Sequence, residues 1–297
     1  MEAVQLGRLA AGHAAMLAFS AVVAGSFSLG AVAAPHVDPG VLSALRFVVA
    51  VVILWVVVRA SGGSVRAPLR QAPWRWLVLG GLMAAYFVFM FEGLKTAAAI
   101  PTAAVFTLTP VMAAGFGWLF LRQRLTARMA LALALGAAGA LWVIFRGDPG
   151  AMLRREVGRG EVIYFWGCAC HAAYTALVRR LNRGESPVVS TYLTMVAGAV
   201  LLTLWSAREM MATDWAALPA IVWVTLAYIS IAATATTTYL VQVASFRLPA
   251  AKVMAYTYLV PSWVILWELA MHGSLPPALV ALGVALTCVA LGLLLKV

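Results

Sequence analysis

Long apolar stretches, separated by short polar connections, run through the whole chain. About 20 apolar residues are enough for a helix to cross the hydrocarbon core of a bilayer. Breaks at charged residues, Pro and Gly divide the chain into ten stretches of about that length. These stretches cover residues 9–34, 40–59, 74–94, 97–121, 127–145, 161–180, 187–206, 215–240, 248–271 and 276–296. The pattern predicts an all-α polytopic membrane protein with ten transmembrane helices.

The composition favours lipid as the solvent of this chain. Hydrophobic residues make up 64% and charged residues only 10% of its 297 positions, whereas soluble domains carry about 25% charged residues. The net charge of +11 would suit nucleic acid, but the basic residues are scattered and form no stripe with interleaved aromatic residues. Cys168, Cys170 and Cys288 lie in apolar stretches and lack the spacing of a zinc site. We therefore expect no nucleic-acid partner, no metal and no cofactor.

The distribution of Lys and Arg predicts the side of the membrane on which each connection lies. With ten helices both termini lie on the same side. Placing them in the cytoplasm puts 14 of the 21 basic residues in cytoplasmic connections, in agreement with the positive-inside rule. The connection 146–159 is an exception, because it carries four Arg on the outer side. The overall excess predicts that both termini are cytoplasmic.

Landmarks in the first half of the chain recur in the second half at offsets of 147 to 152 residues. The matched pairs are Phe19-Ser20 with His171-Ala172, Pro39 with Pro187, Leu108-Thr109-Pro110-Val111 with Leu259-Val260-Pro261-Ser262, and Gly136 with Gly283. The repeat predicts two units, residues 1–147 and 148–297, with five helices each. An odd number of helices places the second unit upside down, and inverted repeats are typical of secondary transporters.

Several short motifs resemble those of the EamA-type branch of the drug/metabolite transporter superfamily. The first are the apolar-x-Pro-apolar signatures at Pro110 and Pro261 and the small residues 96–99 before the fourth helix. The stretch His171-Ala172-Ala173-Tyr174 looks like the Trp-Ala-x-Tyr stretch of that family's sixth helix, and Phe19-Ser20 stands where its first helix often has Trp-Ser. The resemblance covers nearly the whole chain.

The resemblance implies export of amino acids or other metabolites across the bacterial inner membrane. Many members have Gly-Glu after the fourth and ninth helices, where this chain has Arg122-Gln123 and Gly273-Ser274. A similar loss occurs in the family's aromatic amino-acid exporters, whose ninth helix also resembles residues 257–261. The resemblance therefore favours aromatic or neutral amino acids as substrates.

Polar and aromatic residues near the middle of the predicted helices are the candidates for binding a substrate. His171 is the strongest of them, because an ionisable residue inside the membrane is often functional. Tyr174 lies on the same helix face, and Phe19 and Ser20 are the repeat counterparts of the His171 position. The further candidates are Tyr86, Phe89, Phe106, Thr109, Tyr239, Tyr256 and Tyr258. A neutral, hydrogen-bonded His and ordinary helix packing are the alternative interpretations.

Two further groups concern movement of the helices. Pro110 and Pro261 predict kinks or hinges, because proline removes a backbone donor; a static bend is the alternative. Arg46, Glu92 and Glu268 lie near the predicted outer helix ends and could form an outer gate. Local ion pairs, Glu92 with Lys95 and Glu268 with His272, are the alternative.

We therefore expect a secondary transporter that exports amino acids by alternating access around a central cavity. Export of another metabolite or a drug is the alternative within this class. A membrane-embedded enzyme of lipid or isoprenoid metabolism is the rival class, but the chain has no H-E-x-x-H or G-x-S-x-G motif. The expected partners are a small-molecule substrate and the lipid bilayer, and a monomer is sufficient for this mechanism.

Overall fold

The computed structural model describes residues 2–153, 157–273 and 276–295, and it contains only helices and connections within those ranges. The first half contains α1 (Glu2–Ala33), α2 (Pro39–Ala60), α3 (Arg66–Gln71), α4 (Trp74–Leu94), α5 (Ala99–Phe106), α6 (Thr109–Leu121) and α7 (Ala127–Ile144). The second half contains α8 (Pro149–Leu153), α9 (Arg159–Leu181), α10 (Pro187–Trp205), α11 (Ala207–Ala212), α12 (Ala220–Ser230), α13 (Thr237–Ser245), α14 (Ala250–Ala255), α15 (Val260–His272) and α16 (Ala278–Leu295). A π-helical turn, Ile231–Thr236, joins α12 to α13, and a 3₁₀ turn, Tyr256–Leu259, joins α14 to α15.

Within the described ranges, nine helical stretches are long and apolar enough to cross a membrane. They confirm a polytopic α-helical membrane protein. The sixth predicted span corresponds to α9, which has 23 residues but is more polar than the others. Its charged residues lie at its two ends, Arg159 and Glu161 at one and Arg179 and Arg180 at the other. A helix of this length extends about 34 Å, which is enough to cross the bilayer. That α9 spans the membrane, and so completes the ten predicted spans, stays a prediction.

The predicted eighth span, 215–240, has the wrong boundaries. The helix begins at Ala220, because Pro219 has an extended backbone and cannot continue a preceding helix. It continues to Ser245 through the π-helical turn. In that turn the side chains of Thr234 and Thr236 donate to the carbonyl oxygens five residues earlier, Ile229 and Ile231. The threonines therefore partner carbonyl groups where the helix is wider than an α-helix.

The fourth and ninth predicted spans are each interrupted before a proline rather than continuous. The α5 helix ends at Phe106 and α6 begins at Thr109-Pro110. Pro110 has no N–H to give to the Phe106 carbonyl, and the Thr109 hydroxyl donates to it instead. In the second half, the 3₁₀ turn occupies the same place before Val260-Pro261. The helix geometry thus changes before both prolines, and their action as kinks or hinges stays a prediction.

The positions where the resemblance expects Gly-Glu are helix C-termini. Arg122 ends α6 with a left-handed backbone (φ 53°), and Gly273 ends α15 in the same conformation (φ 65°), which glycine adopts without strain. The Gln123 side chain accepts the Ala250 N–H at the start of α14 at 3.4 Å. Gln123 thus partners one of the free N–H groups of that helix terminus. Ser274 lies outside the described residues.

Helix packing is symmetric when the two halves are exchanged. The α4–α9 contact corresponds to the contact of α12 and α13 with α1, and the α6–α9 contact corresponds to α15–α1. The pairs α2–α10 and α7–α16 each join corresponding helices of the two halves, and the α6–α14 contact corresponds to α15–α5.

Pairs of glycines permit the closest helix crossings. A Cβ atom on Gly80 would lie 2.6 Å from the Gly198 nitrogen, between α4 and α10. A Cβ atom on Gly139 would lie 2.7 Å from the Gly283 oxygen, between α7 and α16. Gly93 and Gly160 are equally close between α4 and α9. Small residues at such contacts allow close backbone approach, as in other membrane helix pairs.

Candidate functional site

A group of rings from four helices fills the centre of the helix bundle. We define this central aromatic cluster as Phe19 of α1, Tyr86 of α4, Phe106 of α5 and His171 of α9. Each of the four side chains is at most 2% exposed. The cluster brings together four of the residues that the sequence predicts to bind a substrate.

The His171 ring stacks on Tyr86, with ring centroids 4.5 Å apart and planes inclined by 15°. Phe106 stacks on the same imidazole at 5.5 Å, and Phe19 at 6.2 Å. These distances lie in the range in which aromatic pairs attract each other beyond their buried area. The stack therefore fixes His171 from three other helices.

Polar atoms next to this cluster are only partly satisfied. The Gln242 Nε2 donates to the Tyr174 hydroxyl at 2.9 Å, and the Tyr174 ring lies parallel to His171 at 6.4 Å. Within the described part of the chain, His171 Nδ1 and Gln242 Oε1 are buried without a hydrogen-bond partner. Buried polar atoms normally have partners, so these two atoms are free to receive groups of a bound solute.

The remaining predicted binding residues lie outside this cluster. Ser20 donates to the Leu17 carbonyl and accepts from Trp263 of α15 at 3.2 Å. Tyr256 bonds His13 at 3.0 Å, and the Tyr258 ring abuts Gly136 of α7.

Phe89 and Tyr239 are also separate from it. Phe89 lines a peripheral apolar groove of about 280 Å³ between α4 and α10, next to Gly81 and Trp205. Tyr239 is half-buried. The roles of all these residues stay predictions.

The three residues of the predicted outer gate do not contact one another in this conformation. Glu92 pairs with Lys95 at 2.8 Å and Glu268 with His272 at 3.2 Å. Arg46 instead contacts the π-helical turn and the Phe87 ring. The local ion pairs that the sequence offers as the alternative are therefore present, and a gate formed by all three residues requires another conformation.

Sequence reasoning missed two rings that extend the central aromatic cluster. The Tyr164 hydroxyl donates to the Tyr86 hydroxyl at 3.3 Å, and Phe27 lies 5.8 Å from both Phe106 and Tyr164. Their spacing carries the signal, because Tyr164 precedes His171 by seven residues and Phe27 follows Phe19 by eight. Both separations return to the same face of a helix.

A buried ion pair joins helices at one end of the bundle. We call this the basic end, formed by the connections 60–74, 121–127, 181–187 and 245–250. Arg75 Nη2 lies 2.8 Å from Glu185 Oε1, with side chains 1% and 4% exposed. Arg75 Nη1 also donates to the Leu181 carbonyl at 2.6 Å. Burial raises the pKa of Glu185, but the hydrogen bonds from Arg75 and the Arg183 N–H outweigh it and leave this pKa below its usual range.

Substituting Glu185→Gln is expected to lower the melting temperature of the purified protein at pH 6, because Arg75 then stays buried without a counter-charge. The free energy of unfolding should fall by about 3 kcal/mol. A lowered carboxyl pKa stabilises the fold above the unfolded-state pKa of about 4.3, and this contribution is lost as the pH falls towards the folded-state value. The gap between wild type and Glu185→Gln should therefore narrow between pH 6 and pH 3.5. The exposed Glu209→Gln serves as the control, and an equal effect of both substitutions would contradict the prediction.

Two cavities lie at the two ends of the bundle. One of about 290 Å³ at the basic end is lined by Gln123, Arg124 and Arg179. One of about 460 Å³ at the opposite end is lined by Thr96, Arg146 and Glu161 among others. The central aromatic cluster lies between the two ends and is closed from both, since its side chains are at most 2% exposed. This conformation is occluded at its centre.

Comparison with known proteins agrees with this architecture. The EamA-like transporter family matches residues 10–145 and again residues 158–296. The uncharacterized transporter YyaM of Bacillus subtilis (strain 168) is 26% identical over 216 residues, which are 72% of this chain and 71% of that protein. A solved crystal structure superimposes with a TM-score of 0.72 at 20% identity, covering 97% of this chain and 96% of the other, and so shows a shared fold. The chain therefore belongs to the EamA-like transporter family of multi-pass membrane proteins.

Proposed function

We propose that this transporter exports neutral amino acids, with aromatic ones favoured, from the cytoplasm across the bacterial inner membrane. The observation that carries the proposal is the stack of Tyr86, Phe106 and His171 at the occluded centre. Binding pockets for small molecules are mostly apolar and aromatic, with a few placed polar groups. The unpartnered His171 Nδ1 and Gln242 Oε1 supply such groups beside the rings.

The mechanism in this proposal is alternating access by two inverted units, 1–147 and 148–297. The helix contacts support this mechanism, because they correspond when the two halves are exchanged. A conformation whose centre is open to one side of the membrane then has a symmetry-related conformation whose centre is open to the other side. The interrupted helices at Pro110 and Pro261 support it as well, since irregular backbone at membrane depth is tolerated where it lines a cavity. In this proposal the basic end and both termini face the cytoplasm, and a monomer in the bilayer is sufficient.

The direct test is uptake of a radiolabelled amino-acid panel into proteoliposomes of the purified protein, with and without a pH gradient. We expect saturable flux that unlabelled phenylalanine or tyrosine competes away, and little flux of lysine or glutamate. The two gradient conditions measure whether protons are coupled to transport. Empty liposomes are the control. Folded, inserted protein that carries no amino acid above this control would overturn the substrate proposal, and a panel of drugs and other metabolites would follow.

A further inference from the structure

Arg46 of α2 is a fully buried cation in the membrane-spanning part of the bundle. It is 0% exposed and lies about 10 Å along the helix from Pro39. Its Nε donates to the Thr234 hydroxyl at 2.6 Å, and its Nη2 donates to the carbonyl oxygens of Ala233 and Ile229 at 3.3 and 3.4 Å. Its Cζ lies 3.7 Å from the centre of the Phe87 ring. The π-helical turn and an aromatic face thus hold the guanidinium in a fixed position.

The charge of Arg46 has no counter-ion in the part of the chain that the structure describes. Its hydrogen bonds go to a hydroxyl and to carbonyl groups, and its Nη1 is buried without a partner. Charged side chains inside the membrane usually pair with an opposite charge or mark a substrate path. Because none of the described residues places a carboxylate here, the free Nη1 indicates an anion that comes from outside the chain.

Two further buried hydroxyl groups belong to residues close in the chain to Arg46 or to its partner Ile229. Ser43 lies one turn before Arg46 on α2, and Ser230 follows Ile229, whose carbonyl accepts from Arg46. Both serine hydroxyls are buried and lack hydrogen-bond partners. A carboxylate has two oxygens that together accept about four hydrogen bonds. An arginine with neighbouring hydroxyl donors matches that requirement.

This polar position adjoins the central aromatic cluster. Phe87, under the Arg46 guanidinium, is next to Tyr86, and the centroids of these two rings are 4.5 Å apart. Tyr86 in turn stacks on His171. A solute with an aromatic part and a carboxylate can therefore place its ring at the cluster and its carboxylate towards Arg46.

We propose that Arg46 binds the carboxylate of the transported solute and thereby selects carboxylate-bearing substrates. The inference rests on the proposed transport through the central site, but it does not require that the solute be an amino acid. Arginine suits this role because its planar guanidinium binds a carboxylate through two parallel hydrogen bonds. In the occluded conformation the Nη1 group is free, and a solute that enters on opening completes its hydrogen bonds.

The test compares Arg46→Gln with wild type on four probes that share a phenyl ring: phenylalanine, phenylalaninamide, phenethylamine and phenylacetate. Flux into proteoliposomes and the ligand-induced rise in melting temperature are measured for each probe. We expect wild type to prefer phenylalanine to its amide by at least tenfold, and Arg46→Gln to lose this preference. Arg59→Gln is the matched control, because Arg59 is an exposed arginine on the same helix, and it should retain the preference.

The outcomes separate this inference from the amino-acid proposal. If wild type carries phenylacetate but no amino acid, and Arg46→Gln carries neither, the amino-acid proposal fails while the role of Arg46 stands. If Arg46→Gln keeps the preference for carboxylates, or wild type responds to no carboxylate, the role of Arg46 is overturned. If Arg46→Gln does not fold, Arg46→Lys is tested instead. Lysine keeps the charge but cannot form the bidentate pair of hydrogen bonds to a carboxylate, so we expect at least tenfold weaker carboxylate binding. Unchanged binding in that variant also overturns the inference.

Discussion

Gly160→Ala is expected to destabilise the protein strongly, because the crossing of α4 and α9 leaves no space for an added methyl group. A Cβ atom at this position would overlap the Gly93 carbonyl oxygen and would lie 2.7 Å from both the Ala97 Cβ and the Thr96 hydroxyl oxygen. Overpacking a core costs about 1–3 kcal/mol, and the upper part of that range applies because the backbone of α4 cannot rotate away as a side chain can. The α4–α9 crossing carries Tyr86 and His171, so their stack should separate as well.

The melting temperature of the purified protein measures this effect, with Gly115→Ala as the matched control. Gly115 lies in α6, and a Cβ atom there meets nothing within 4 Å. Alanine is a better helix former than glycine by up to about 1 kcal/mol, so the control should be as stable as wild type or slightly more so. Equal melting temperatures of the two variants would mean that the two helices do not cross this closely.

His171→Phe is expected to abolish most transport while leaving the protein folded. Phenylalanine retains the ring that stacks on Tyr86 and Phe106. It removes the buried Nδ1 that lacks a partner, and removing an unsatisfied buried polar atom is neutral or stabilising. If His171 contacts the solute, we expect flux to fall at least tenfold, which corresponds to about 1.4 kcal/mol.

The comparison with His171→Ala separates a binding role from a packing role. Alanine leaves a cavity in the stack and should lower both the melting temperature, by a cost of about 2–4 kcal/mol, and the flux. His36→Ala, at an exposed position outside the membrane-spanning helices, should change neither. Normal flux in His171→Phe together with reduced stability in His171→Ala would assign His171 to packing alone.

The sequence determined the class of protein and most of its helices. Among the residues that the structure describes, nine of the predicted spans recur as apolar helices of membrane-crossing length. Hydrophobicity over about 20 residues is a local property, and it suffices to place a helix in the hydrocarbon core. Pro110 and Pro261 likewise predict a local departure from regular helix, since proline removes a hydrogen bond wherever it stands. The sequence also singles out His171 as a candidate, because an ionisable residue inside an apolar helix is rare.

The tertiary structure decided which candidates meet. Helical spacing places Phe89 three residues from Tyr86, yet only Tyr86 faces His171, while Phe89 lines a peripheral groove. The sequence places Arg46 with Glu92 and Glu268 in a predicted outer gate, because all three lie near the predicted outer ends of their helices. Its hydrogen-bond partners, Thr234 and the carbonyl groups of Ala233 and Ile229, lie more than 180 residues away in the chain.

The physical reason is the range of the interactions involved. Burial in lipid acts on each helix separately, so the sequence alone specifies which segments form apolar helices, although the eighth begins and ends about five residues later than predicted. Which face of one helix meets another depends on close packing between segments that are distant in sequence, as at Gly93 and Gly160. A stack of rings from α1, α4, α5 and α9, and an unpaired arginine beside it, exist only after those faces have met.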